Sequence, residues 1–331
     1  SLSIDRHPSN LSASPPPPFN NPIYSQVLMG LVLGNHAKFE FSVMSLKKGM
    51  KKGMVKSKRQ HPEEFLMLGN SLWCLWLQDK KKTQYIGEAM TLYQKTIEVI
   101  NRKIVDNANA NARERRTRVD SDDSSHRISS SNAKENENDT KILDEAIFNL
   151  AGINLILGET DKAIEAFEGL LKREELTPDE KADLFSNLSS AYVYKKDLAR
   201  AKQMALTGIQ LVPSHLKNLC TLGSIHNLLK EFDHAAEIYG LAVSYYDDSV
   251  ESKIGLAHAL HGRGKTELAL TYLKEADVLD VGNPDKTAFK ALCSVLREGG
   301  NEAEVVALKA QRELEDADRV RKRLLALAKS S

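Results

Sequence analysis

The chain has 331 residues, of which 41% are hydrophobic, 27% charged and 6% aromatic. This apolar content suffices for a sizeable core and excludes wholesale disorder. Lys and Arg number 46 and Asp and Glu 45, a formal net charge of +1, which argues against a globally basic nucleic-acid-binding protein.

The three cysteines, Cys74, Cys220 and Cys293, are far apart and form no CxxC pair. Isolated cysteines in an odd number argue against a disulfide framework and a thiolate zinc site, and they favour a reducing compartment. No run of about 18 apolar residues predicts a membrane span. We predict a cytoplasmic protein, because Asp5 and the early prolines argue against an amphipathic transit peptide, with the mitochondrion and the nucleus as alternatives.

Residues 1–62 form an N-terminal segment with three compositions. Residues 1–22 are rich in Ser, Pro and Asn and are expected to be extended or disordered, whereas residues 23–46 are moderately apolar. Residues 47–59 carry seven basic side chains and no acidic one. This run predicts either a solvated linker or a weak electrostatic contact with an anionic membrane, and its lack of aromatic residues argues against nucleic-acid binding.

Helical apolar spacing begins near residue 63. Residues 63–101 predict a divergent first hairpin, in which the segment 65–77 is apolar on nearly every side and should be covered on both. We predict that residues 23–46 pack there as a cap, with a docking face for a partner as the alternative. Residues 102–140 are polar and mix both signs of charge, which predicts a disordered insertion.

From residue 141 onward the helical spacing continues, and residues recur with a period of 34. Leu followed by a small residue occurs at 188–189, 222–223 and 256–257. Such a period predicts paired antiparallel helices, whose close approach needs small side chains. The chain is therefore expected to be all-α. Alanines repeat at the same step at Ala201, Ala235 and Ala269.

This pattern resembles the tetratricopeptide repeat family, an interaction module of stacked helical hairpins. The resemblance covers about 63–329 with an interruption, and Lys253 departs from it at a slot that is normally aromatic. It implies an α-solenoid superhelix of about five to six antiparallel hairpins, with repeats over 141–285 and a degenerate hairpin and capping helix over 286–331. The most regular unit carries Phe185, Leu188, Ser189, Tyr192, Ala201, Gly208 and Pro213.

Two motifs resemble sites of chemistry, but their contexts argue against it. The string from Ala259 to Thr266 is similar to a phosphate-binding loop, yet Ala259 replaces its first glycine and a helix precedes it. Gly264 instead falls at the expected turn of a hairpin. His258 and His261 lie three residues apart on a helix, but no third metal ligand follows at suitable spacing. We expect no catalysis, no cofactor and no metal site.

The family resemblance implies that the first helices of the hairpins line a concave groove, which would bind a protein or peptide segment through apolar anchors. Some family members clamp the C-terminal carboxylate of chaperones, but only Asn187 and Lys217 match two of the five clamp positions, which argues against a chaperone tail. The groove positions carried over to this chain are Phe148, Leu155, Ile156, Ser186, Ser190, Val193, Tyr194, Lys217, Cys220, Ser224, Asn227, Leu228, Ile254, His258 and His261.

The sequence thus predicts a non-catalytic scaffold or adaptor that binds a partner segment, as a subunit of a multiprotein complex. The alternative is a targeting or import receptor, or an assembly factor, tethered to an organelle membrane or complex by its basic N-terminal segment. A repeat fold indicates binding as a class of function and does not name the partner.

Overall fold

The computed structural model describes residues 61–78, 83–117, 130–280 and 286–312, together with Lys322. Regular secondary structure within these ranges is α-helical throughout. The predicted cap at 23–46 and the basic run at 47–59 lie outside the described residues. The chain divides into two compact units, 1–147 and 148–331.

Twelve helices lie in the described ranges, and we number them in chain order. They are α1 Pro62–Gln78, α2 Gln84–Thr117, α3 Ser130–Ile156, α4 Thr160–Leu171, α5 Pro178–Tyr194, α6 Leu198–Leu211, α7 Leu216–Leu228, α8 Phe232–Tyr245, α9 Val250–Gly262, α10 Thr266–Leu279, α11 Thr287–Glu298 and α12 at 302–312.

The polar insertion is more helical than its composition suggests. Helix α2 continues to Thr117 and α3 begins at Ser130, so the prediction of disorder over 102–140 is wrong for 102–117 and 130–140. Both extensions grow from packed parts of the same helices, so they need no new nucleus. An ion pair one helical turn apart, Glu98 with Arg102, adds to α2. Residues 118–129 lie outside the described residues.

In the first unit, α1 and α2 pack together through a glycine and a tyrosine. A Cβ on Gly69 would lie 2.8 Å from the ring of Tyr93, so only glycine allows this approach. The Tyr93 hydroxyl donates to Asn70 Oδ1 at 2.8 Å, and burial raises the pKa of this phenol. The apolar α1 also buries Leu72 and Leu75 almost completely.

In the second unit, the helices pack in successive pairs, α5 with α6, α7 with α8 and α9 with α10. The first helix of each pair also contacts the first helix of the next, from α5 through α7 and α9 to α11. These four helices therefore lie in a row. This arrangement confirms the predicted α-solenoid of stacked helical hairpins.

Each hairpin turn in the second unit has the same backbone geometry. The second residue after the first helix has a positive φ, and the next amide donates to a carbonyl five residues earlier, as in Lys265 N to Leu260 O at 2.9 Å. This is the Schellman geometry that ends helices. Gly264, with φ 76°, occupies this turn after α9, which confirms its prediction as a hairpin turn rather than a phosphate-binding loop.

The repeated small residues lie where the helices of a pair meet. Ala201, Ala235 and Ala269 are fully buried. A Cβ on Gly223 would lie 2.6 Å from the Tyr239 ring, and Ser189 Oγ donates to the carbonyl of Ala201 at 2.7 Å. The small residues that recur every 34 positions therefore lie at close contacts between helices, as predicted.

Candidate partner-binding groove

A groove of about 680 Å³ lies in the second unit, along the row of first helices. Helices α7 and α9 form most of its walls, and Asp280, just after α10, and Thr287, at the start of α11, also line it. Its lining is more apolar than polar. The lining residues are Ser224, Asn227, Leu228, Tyr239, Val250, Glu251, Ile254, Gly255, His258, Asp280 and Thr287.

Hydrogen bonds fix the spacing of the groove walls. Asn227 Nδ2 donates to the carbonyl of Gly255 at 3.2 Å, which ties α7 to α9. The Tyr239 hydroxyl is 2.7 Å from Ser224 Oγ, and its ring fills the space between the two helices, because Gly255 leaves room for it. A groove held in this way is formed before a ligand arrives, which reduces the entropy lost on binding.

Burial shifts the pKa values of two ionisable side chains of the groove, Glu251 and His258, toward their neutral forms. Burial between the walls raises the pKa of the Glu251 carboxyl, against a smaller lowering by Lys217. Burial also lowers the pKa of the His258 imidazole. Both side chains are open to solvent yet surrounded by the walls of a concave surface. Asp280 Oδ2 accepts a hydrogen bond from the Ala288 amide at 3.0 Å.

These groups give the groove an apolar floor with an acidic bias. Glu251 and Asp280 are its two carboxylates, and the described lining contains no Lys or Arg. A cation placed beside Glu251 would stabilise the ionised form that burial disfavours, so such a surface suits apolar side chains with a basic neighbour.

Five of the fifteen residues predicted from the sequence meet in this groove: Ser224, Asn227, Leu228, Ile254 and His258. Leu228, which lines the groove, is 59% exposed. These five come from two hairpins that are adjacent in the row.

Other predicted residues are accessible but lie outside the lining of this groove. Tyr194, at the end of α5, is 65% exposed, and Ile156, at the end of α3, is also exposed. Lys217 Nζ donates a hydrogen bond to Asp183 Oδ1 at 2.7 Å. His261 lies between Thr266 Oγ1 and Glu298 Oε2. Val193 and Ser190 are half-buried on α5.

Four predicted groove residues belong to the packing of the hairpins. Leu155, Ser186 and Cys220 are buried, so their assignment to an accessible binding face is corrected. The neighbouring helices cover them, and burial raises the pKa of the Cys220 thiol to about 12. Phe148 is half-buried and meets the ring of Phe167 edge to face.

Several lining residues were absent from the sequence prediction. Val250 precedes Ile254 by one helical turn, so extending the face backward along α9 would have found it. Tyr239 belongs to a second helix and reaches the groove only because Gly255 leaves room. Asp280 and Thr287 flank a segment without repeat regularity, and the sequence offers no signal for them.

One group in the described residues has the composition of a metal site, and the sequence analysis did not single it out. His226, Glu231 and His234 bring their ligand atoms within 4.8 Å of one another. The sequence signal is a His-Glu-His set with spacings of five and three residues across the turn after α7.

Among the described helices, none is long and apolar enough to cross a membrane.

Comparison with known proteins identifies the repeat. The family model described as tetratricopeptide repeat matches residues 144–175. Tetratricopeptide repeat protein 8 of Caenorhabditis elegans is 23% identical over 167 residues, which cover 50% of this chain and 32% of that protein. The chain thus spans about a third of the length of this relative.

Two solved structures show weaker likeness. A thermophilic TPR protein of Thermus thermophilus is 21% identical, with a TM-score of 0.48, covering 71% of this chain and 99% of that one. MamA 41-end of Desulfovibrio magneticus is 16% identical, with a TM-score of 0.42, covering 53% and 96%. Scores this low carry no weight for the architecture, which rests on the helices and turns of this chain.

Proposed function

We propose that this chain, which is built from tetratricopeptide repeats, is a non-catalytic scaffold that binds a segment of a partner protein in the groove between α7 and α9. The observation that carries the proposal is the exposed Leu228 beside Ile254 in a groove whose walls are fixed by hydrogen bonds. Exposed apolar side chains in a preformed groove are typical of peptide recognition.

The chemistry of the lining indicates the kind of segment bound. An apolar side chain of the partner would contact Leu228 and Ile254, and a neighbouring Lys or Arg would approach Glu251. The groove volume of about 680 Å³ suits one or two large side chains rather than a whole domain. We therefore propose an apolar-basic segment of a partner within a multiprotein complex, in the cytoplasm.

The experiment selects peptides from a displayed random library on the full chain and measures their affinities by fluorescence anisotropy. Leu228→Arg places a charge in the groove. The matched control is Leu241→Arg, which changes an equally apolar, exposed residue on α8 that does not line the groove. Circular dichroism checks that both variants keep the helical content of the parent.

We expect the selected peptides to combine apolar and basic residues, and to bind Leu228→Arg at least tenfold more weakly than the parent or Leu241→Arg. Equal affinities for all three proteins would overturn the groove proposal. Enrichment of acidic peptides would overturn the proposed partner chemistry. The alternative, tethering through the basic run at 47–59, predicts binding to anionic vesicles that Leu228→Arg leaves unchanged and that neutral substitutions in the run remove.

A further inference from the structure

The turn between α7 and α8 gathers two imidazoles and a carboxylate outside the groove. His226 lies in the last turn of α7, Glu231 immediately precedes α8, and His234 lies in the first turn of α8. His226 Nδ1 is 2.5 Å from Glu231 Oε2, and the two imidazole rings stack with centroids 5.3 Å apart. Neither the groove nor the proposed function uses these side chains.

The backbone of the turn holds the three residues together. The Glu231 amide donates to the His226 carbonyl at 2.9 Å, which closes the turn and brings the two side chains to the same side. The Glu231 side chain makes no capping hydrogen bond to α8, so its carboxylate faces His226 instead. His234 follows three residues later, a spacing that places it on the same helix face.

The donor set has the chemistry of a transition-metal site. Two imidazole nitrogens and one carboxylate oxygen suit borderline divalent cations, whereas Ca²⁺ and Mg²⁺ prefer oxygen ligands alone. We propose that His226, Glu231 and His234 bind a divalent transition-metal cation of the zinc class, with the remaining coordination positions open to water or to a group from a partner.

The required rearrangement is small. Ligand atoms around Zn²⁺ lie about 2.0–2.2 Å from the metal, and those of the three residues are already within 4.8 Å of one another. His226 is buried, whereas the Glu231 and His234 side chains are exposed, so they can turn toward a shared ion without repacking the core.

A nearby lysine gives the proposal a distinctive test. Lys202 Nζ, on α6, lies 3.9 Å from Glu231 Oε2 and therefore competes with a cation for the carboxylate. Removing this charge should tighten metal binding, whereas removing a ligand should weaken it. A non-specific surface site would not respond in these two opposite directions.

The experiment titrates the full chain, without a histidine tag, with Co²⁺ followed by its visible absorption and with Zn²⁺ followed by calorimetry. The variants are His234→Ala, Glu231→Gln and Lys202→Met. His258→Ala is the matched control, because it removes an exposed imidazole from the neighbouring hairpin. His234 and Glu231 are exposed, so their substitution should leave the fold intact, which circular dichroism verifies.

We expect one equivalent of metal per chain, at least tenfold weaker binding by His234→Ala and Glu231→Gln, and severalfold tighter binding by Lys202→Met. His258→Ala should bind as the parent does. Absence of a one-equivalent site in the parent, or equal binding by the parent and His234→Ala, would overturn the proposal. Peptide affinity for the groove, measured on His234→Ala, Glu231→Gln and Lys202→Met, none of which changes a groove residue, is expected to stay unchanged, which separates this proposal from the function proposed above.

Discussion

Two of the described hairpin turns place a lysine where the others place a glycine. Lys196 and Lys230 have φ values of 61° and 60°, at turns equivalent to those of Gly158 and Gly264 with 84° and 76°. A side chain with a Cβ is strained in this left-handed conformation by about 1–2 kcal/mol, and glycine is not. The hydrogen bond that closes each turn, from an amide to the carbonyl five residues earlier, imposes this strain, so the strain persists in the folded chain.

Lys196→Gly should therefore raise the free energy of unfolding by about 0.5–1 kcal/mol, less than the full strain because glycine also makes the unfolded chain more flexible. Urea denaturation followed by circular dichroism measures this change. The reverse substitution, Gly264→Ala, is the control and should lower the stability by a similar amount. A loss of stability in Lys196→Gly would contradict the strain argument.

Lys253 shows how one hairpin compensates for a departure from the repeat. Its side chain is buried where the resemblance predicts an aromatic ring. Its ammonium donates to Glu275 Oε2 at 2.7 Å and to Asp247 Oδ1 at 3.0 Å. Burial alone would lower the pKa of the ammonium, but these two hydrogen bonds outweigh it, so the pKa rises above the ordinary 10.5.

We expect Lys253→Met to change the stability by about 1 kcal/mol or less, because it removes the buried charge and keeps the apolar stem. The double variant Asp247→Asn/Glu275→Gln should lose more stability, since it leaves the buried ammonium without ionic partners.

Because the folded pKa of Lys253 is raised, this lysine stabilises the folded chain below pH 10.5 and loses this effect as the pH rises through its folded pKa. Chemical denaturation at pH 7 and pH 11 tests the effect of the substitutions and the pH dependence. A smaller loss of stability in the double variant than in Lys253→Met would refute the expected effect of the substitutions.

At the scale of the helix pair, the surroundings of a glycine decide whether replacing it with alanine stabilises or destabilises the protein. Gly223 and Gly240 lie in α7 and α8 of the same hairpin. A Cβ on Gly223 would lie 2.6 Å from the buried Tyr239 ring, whereas a Cβ on Gly240 meets nothing within 4 Å. The ring cannot move away freely, because Gly255 holds it on its other side.

Gly240→Ala should stabilise the protein by up to about 1 kcal/mol through helix propensity. Gly223→Ala gains the same propensity but overpacks the helix pair, for a net loss of about 1–2 kcal/mol. Thermal and urea unfolding of the two variants, compared side by side, measures the difference. Equal effects of the two substitutions would show that the ring and the helix adjust without cost.

The sequence predicts the helix pairs well because the small residues that allow close packing between helices recur with a fixed period. The alanines at 201, 235 and 269 and the turn at Gly264 are all where the 34-residue period places them. The binding face is harder to predict, because a residue such as Cys220 is hidden or exposed according to a neighbouring helix. The extent of α2 is also missed, since helix propagation from a packed segment needs no apolar pattern of its own.

At the scale of the whole molecule, the chain consists of two compact units with their own contacts. In the second unit each helix packs mainly against its immediate neighbours in the sequence. Stability in such stacks is approximately a sum of the stabilities of the repeats and of their nearest-neighbour interfaces. A local defect should therefore open its own hairpin more than a distant one.

Gly69→Ala and Gly223→Ala test this locality, because each adds a methyl group against a buried tyrosine, Tyr93 in the first unit and Tyr239 in the second. Hydrogen exchange followed by mass spectrometry should show severalfold faster exchange in α1 and α2 for the first variant, with α7 and α8 unchanged. The second variant should show the reverse pattern. Equal acceleration across both units in either variant would mean that the chain unfolds as one cooperative body, and a defect in α1 would then affect the groove through the global stability.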